Sequence, residues 1–127
     1  MCPPRPEPRA QGDAAEDAAR AHLESLGLRT LARNVNFRFG EIDLVMRHGD
    51  TVAFVEVRYR RSERYGGAAA SVDWKKRRRI ALAARAWLAG QRGLALAPCR
   101  FDVVLVSGSA DALACEWLRG AFTLDDA

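Results

Sequence analysis

Apolar residues recur at two different periods along this chain. Between residues 12 and 27, Ala15, Ala18, Ala19, His22, Leu23 and Leu26 return at helical spacing, and Gly27 supplies a stop. Residues 29–36 then predict a first strand, Glu41–Arg47 a second, and Val52–Tyr59 a third that is rich in Val and Phe. His48-Gly49-Asp50-Thr51 reads as the turn between the last two, and the Ser/Gly/Ala-rich residues 62–71 read as a mobile loop. A second helix is predicted from about Asp73 to Ala89. Its apolar stripe is Ile80, Ala83, Ala84, Trp87 and Leu88, and Gly90 ends it. Phe101–Val106 predicts a fourth strand, and residues 114–118 a fifth, short edge strand. The order of helix, three strands, helix and one or two strands predicts an α/β fold, a mixed sheet flanked by helices. Residues 1–11, with four prolines and no periodicity, are expected to be a disordered tail. Residues 12–122 are expected to form a single domain, and 123–127 a short acidic tail.

Composition supports that reading. A chain of 127 residues, 49% hydrophobic and 28% charged, holds one core and is neither fibrous nor disordered. No apolar run approaches the ~20 residues that span a bilayer. The opening residues lack the apolar stretch of a secretory signal, so a cytoplasmic location and no membrane partner are expected. The three cysteines, Cys2, Cys99 and Cys115, are far apart and unpaired in pattern. With only His22 and His48 besides, neither a disulfide framework nor a zinc site is expected. A metal here would be held by carboxylates, which suits Mg2+ or Mn2+.

Charge sharpens the picture through its distribution. The net +4 hides a segment, residues 58–92, that carries 11 basic and 2 acidic residues, between flanks that are both net acidic. The cations fall in Arg58-Tyr59-Arg60-Arg61 and in Lys75-Lys76-Arg77-Arg78-Arg79. Such a block is either a solvated basic face or the footprint of a polyanion, of which nucleic acid is the usual one.

The sharpest candidate chemistry is a pair of acids on adjacent strands. If a four-residue loop pairs Arg47 with Val52, Asp43 stands opposite Glu56 with both side chains on one face. A three-residue loop would slip the register and split the two acids between faces. In the first register two like charges oppose each other within an apolar strand pair, which calls for a cation between them. Arg58 shares the face of Glu56, and a divalent metal is the other candidate. The same pattern is also consistent with a structural Asp–Glu–Arg ion network. Glu41 shares parity with Asp43. Glu16, near the expected start of the first helix, is explained either by the helix dipole or by a reach into the same site.

The second helix carries its own oddity. Lys76 stands four residues before Ile80 and so lies on the apolar stripe, and it belongs to a cationic first turn that the helix dipole disfavours. Anion binding would account for this arrangement, as would a lysine that snorkels out of the stripe. Trp74 could stack on a base or serve packing.

The strings GEIDLV (40–45), FVEVR (54–58), the KKRRR helix start, AARAWLA (83–89) and RFDVV (100–104) occur in this order. Together with GDAAEDAARAHLESLG (12–27) and LARN (31–34), they resemble the YraN family of small uncharacterised bacterial proteins. The likeness covers roughly residues 12–122. That family is similar to the restriction-endonuclease-like superfamily, and within it to the Holliday junction resolvases. The resemblance implies an αβββαβ core and a catalytic pattern of Asp, then Glu/Asp-x-Lys, with a Glu from the first helix. Carried across, the Asp is Asp43, the Glu is Glu56 and the helical Glu is Glu16, the three implied ligands of Mg2+ or Mn2+. The lysine position holds Arg58, which stays charged and cannot exchange a proton as lysine can. Lys76 matches a family lysine and would supply an ammonium in its place.

The expectation is therefore a metal-dependent endonuclease acting on the phosphodiester backbone, DNA in preference to RNA, with branched DNA favoured. Asp43, Glu56, Arg58 and Lys76 would be catalytic. Arg60, Arg61, Lys75, Arg77, Arg78, Arg79 and Trp74 would hold nucleic acid. The alternatives are a binding module of the same fold without catalysis, favoured by Arg58, and a protein-interaction adaptor. Resolvase-like relatives act as two-fold dimers. A homodimer is thus a further expectation, with Cys115-Glu116-Trp117-Leu118 as a candidate edge.

Overall fold

The computed structural model describes residues 8–60, 72–109 and 111–123. Its elements are α1 (Pro8–Ser25), β1 (Arg29–Phe37), β2 (Gly40–His48), β3 (Thr51–Arg60), α2 (Trp74–Ala89), β4 (Cys99–Ser109) and β5 (Ala112–Phe122). The strands form one sheet in the order β1-β2-β3-β4-β5. All neighbours are antiparallel except β3 and β4, which the α2 crossover makes parallel. The expected α/β architecture, with an αβββαβ core and a mixed sheet flanked by helices, is the observed one.

Strand alternation gives the sheet two apolar faces, and each helix covers one. Ala15, Ala19 and Leu23 of α1 pack on Leu44, Met46, Ala53, Val55, Val104 and Val106. Ile80, Ala81, Ala83 and Ala84 of α2 pack on Ile42, Val45, Val52, Phe54, Phe101, Val103 and Leu105. The central strands are buried on both faces, which is why they read as continuous Val/Phe runs rather than alternating ones.

Several boundaries differ from expectation, among them β4, which runs Cys99–Ser109 rather than 101–106. Helix α1 starts at Pro8 rather than at 12; a proline fits the first turn, where its missing N–H would have no partner. Strand β5 is an 11-residue strand rather than a five-residue fragment. Its alternation of exposed and half-buried residues holds from Ala112 to Trp117 and breaks over Leu118, Arg119 and Gly120. The β2–β3 turn is only Gly49-Asp50, since His48 pairs with Thr51, and Gly49 takes the left-handed φ of 61° that so tight a turn demands. Arg47 still pairs with Val52, so the first of the two registers holds. The loop 62–71 and the acidic residues Asp125 and Asp126 lie outside the described residues.

A second polar group is built into the core where β4 meets β5. Asp102 is fully buried and accepts four hydrogen bonds. They come from Arg100 Nε (2.8 Å) and Nη2 (3.0 Å), Trp117 Nε1 (2.9 Å) and the Gly120 N–H (2.9 Å). These contacts sit at the irregularity in the β4–β5 register and hold it together.

Candidate active site

Strands β2 and β3 pair regularly from their turn as far as Leu44–Val55, and there the ladder stops. In place of the next ladder bond, Asp43 Oδ2 accepts from the Val57 backbone N–H at 2.8 Å. Asp43 thus satisfies an amide that the parting of the strands would otherwise orphan. The carboxylate of Glu56 follows at the same point of β3 and is only 6% exposed. Burial, and then the charge of Asp43, push the Glu56 carboxyl up to about 7. Burial likewise pushes Asp43 up to about 6, with Glu16 and Glu41 adding to the rise against the Val57 amide and Lys76. Two acids raised in this way by burial and by each other's charge favour a cation beside them.

One cation is present. Lys76 Nζ lies 2.6 Å from Glu56 Oε1. Asp73 caps α2 by accepting from the Lys76 N–H at 2.9 Å, and this fixes the rotation of the first turn. Lys76 then points down the buried stripe toward β3. Arg58, two residues beyond Glu56 on the same strand face, adds favourable charge to that carboxylate.

The third acid arrives from α1. Glu16 lies beside Asp43, and its pKa is raised by burial and by Asp13. Because α1 begins at Pro8, Glu16 lies well past the first turn, so the helix dipole does not account for it. What holds it is Asn34 on β1. In the orientation that satisfies both of its polar atoms, the Asn34 amide nitrogen donates to Glu16 Oε2 at 2.8 Å and Oε1 at 3.3 Å. Asn34 adopts a left-handed φ of 49° within the strand. The adjacent Arg33 pairs with Asp17, so two consecutive residues of β1 clasp two of α1. Sequence reasoning missed Asn34. The available signal was an asparagine inside a strand, the residue type most tolerant of that φ after glycine.

Two hollows flank Glu41. One, of about 420 Å³, is lined by acids and amides: Asp13, Glu16, Asn34, Asn36, Glu41 and Asp43, with Gly12. The other, of about 260 Å³, is cationic, lined by Lys75, Lys76 and Arg79 with Glu41, Asp73 and Ile80. Not all of the basic run faces this side. Arg77 Nε donates to the Val72 carbonyl at 2.6 Å, and its guanidinium covers the Phe122 ring, so it serves packing. Lys75, Arg78 and Arg79 remain exposed, as does Trp74 at 58%. Arg60 is the last residue of β3, and Arg61 lies outside the described residues.

Among the described residues, no three His, Cys, Asp or Glu side chains converge on one point as a complete metal cage. Asp43 and Glu56 interact through their charges, and Glu16 lies beside Asp43 without completing a triad. The donor set nevertheless fits magnesium, which keeps several waters and is usually bound by one or two carboxylates plus a substrate phosphate. Cys99 and Cys115 are free thiols whose pKa values burial raises, and neither belongs to this site. No helix among the described residues is long and apolar enough to cross a membrane.

A five-stranded mixed sheet flanked by two helices, with an αβββαβ core that parts two central strands beside Asp43 and Glu56, defines the class as an α/β protein. Within it, residues 15–106 match the family described as Uncharacterised protein family UPF0102. The UPF0102 protein of Xanthomonas campestris pv. campestris (strain B100) is 58% identical over 116 residues, covering 91% of this chain and 93% of that one. That of Xylella fastidiosa (strain 9a5c) is 54% identical over 118 residues, covering 93% and 96%. The chain belongs to the UPF0102 family, as the YraN resemblance implied.

Proposed function

We propose that this protein is a metal-dependent nuclease that hydrolyses the phosphodiester backbone of nucleic acid, DNA in preference to RNA and branched DNA above continuous duplex. The observation that carries this reading is the half-buried Asp43 and the buried Glu56 at the parting of β2 and β3, with a cationic helix start against them. A bound Mg2+ or Mn2+ would polarise the phosphate and lower the pKa of the attacking water. Asp43 and Glu56 would hold that ion, and Glu16, beside Asp43, would assist directly or through a water. Lys76, which pairs with Glu56, would place its ammonium against a non-bridging phosphate oxygen. Arg58 would stabilise charge that develops on the phosphorus-bound oxygens. Lys75, Arg78 and Arg79 would hold the flanking phosphates, contacts that carry position rather than sequence.

The test is cleavage of labelled single-stranded, duplex, flap and four-way-junction DNA with Mg2+ or Mn2+. Metal-dependent cutting, best on a branched substrate, supports the reading; no cutting of any of them with either metal removes it. Arg58 favours a second reading, a binding module of the same fold. A guanidinium cannot exchange the proton that lysine can at that position. Tight metal-independent junction binding without cutting would establish this alternative.

A further inference from the structure

The turn between β1 and β2 is made of Arg38 and Phe39, at a place where Gly, Asn or Asp would be the ordinary choice. Phe39 is 46% exposed. It does not wave free: its ring stacks on that of Phe37 at a centroid distance of 5.5 Å and an interplanar angle of 4°. Phe37 in turn packs against the core under α2. The tip is also seated against α2, because a Cβ at Gly40 would overlap the Arg79 carbonyl oxygen, so only glycine permits this approach. Phe39 is therefore an exposed, stacked aromatic surface, one residue from the Gly40 contact with the Arg79 backbone and two from Glu41, which lines the cationic hollow with Lys75 and Arg79. Trp74, the most exposed aromatic ring of the described residues, opens the same helix.

Exposed aromatic rings among phosphate-binding cations match the chemistry of unpaired bases. A base in continuous duplex has both faces covered by its neighbours, whereas a flap, gap or branch-point nucleotide offers a free face to an aromatic side chain. We infer that Phe39, braced by Phe37, is a base-stacking platform, and that the site selects nucleic acid with unpaired nucleotides beside the phosphate it engages. This inference rests on the nuclease reading and narrows its substrate.

The experiment measures the affinity of the full chain, with Ca2+ in place of a cleavage-supporting metal, for a blunt duplex and for the same duplex bearing a short single-stranded flap. A 2-aminopurine in the flap reports stacking. Wild type is expected to prefer the flap and to quench the probe. Phe39→Leu keeps apolar contact with Phe37 but removes the aromatic face. It should weaken flap binding by roughly 5- to 100-fold, abolish the quench and leave duplex binding unchanged. Phe39→Trp should restore both signals. Equal loss on both substrates, or an unchanged flap affinity and quench in Phe39→Leu, would overturn the platform while leaving the nuclease reading intact. Failure of wild type to bind either substrate would overturn both.

Discussion

Lys76 on α2 and Glu56 on β3 meet at 2.6 Å, although the carboxylate is only 6% exposed and the lysine is 42% exposed. The pair joins the helix that carries the cations to the strand that carries the acid. Lys76→Met should leave a buried carboxylate without its partner. The expected loss is roughly 1–3 kcal/mol at pH 8, below the 3–5 kcal/mol of a fully buried pair because the lysine end is wet. At pH 5 Glu56 takes up a proton, and the loss should shrink. Urea melts of wild type and variant at the two pH values check this.

The pKa shifts give the metal-free protein a specific pH dependence. Asp43 and Glu56 are raised to about 6 and about 7, above the ordinary values near ~4 that they regain on unfolding. Between those limits the native state binds more protons than the unfolded state, so stability falls as pH rises. Thermal melts in chelator should therefore lose a few kcal/mol from pH 5 to pH 8. Mg2+ added at pH 8 should recover part of that loss. A melting temperature that is flat or rises across the window would show that the two acids do not share a buried site.

Asn34 carries two burdens that substitutions can separate. Asn34→Gly keeps the left-handed backbone but removes the amide from Glu16. Asn34→Ala removes the amide and adds about 1–2 kcal/mol of backbone strain. The glycine variant should melt near wild type yet lose metal affinity, since Glu16 is no longer held beside Asp43. The alanine variant should lose both. Paired melting curves and Mn2+ titrations separate these outcomes.

The buried Asp102 predicts a purely structural lesion. Asp102→Ala strands the Trp117 indole N–H and the Gly120 amide and leaves the Arg100 guanidinium with His48 in place of its carboxylate. A cost of about 3–5 kcal/mol is expected. It should appear in the Trp fluorescence melt, while Mn2+ affinity at temperatures where the variant is folded stays at the wild-type value.

Much of this arrangement is legible in the residue order. Strand period and a tight turn suffice to pair Arg47 with Val52, and the same offset brings Asp43 and Glu56 to one point. The apolar stripe of α2 exposes Lys76 as an anomaly. Other features depend on contacts with no local pattern. Asp43 takes the Val57 amide where the ladder ends at Leu44–Val55, which no periodicity encodes. Asn34 matters through a φ angle, Asp102 through partners from two strands, and Arg77 leaves the cationic face because Phe122 of β5 lies within its reach. Strand β5 reads as short because an edge strand need not alternate along its full length.

The central claim is that Asp43 and Glu56 together hold a divalent ion, and electron paramagnetic resonance of Mn2+ titrated into the protein at pH 8 tests it most directly. Wild type is expected to take up one ion per chain. Asp43→Asn and Glu56→Gln should each lose it, with both variants folded by circular dichroism. Absence of saturable Mn2+ binding to wild type, or occupancy unchanged in both variants, would contradict the account.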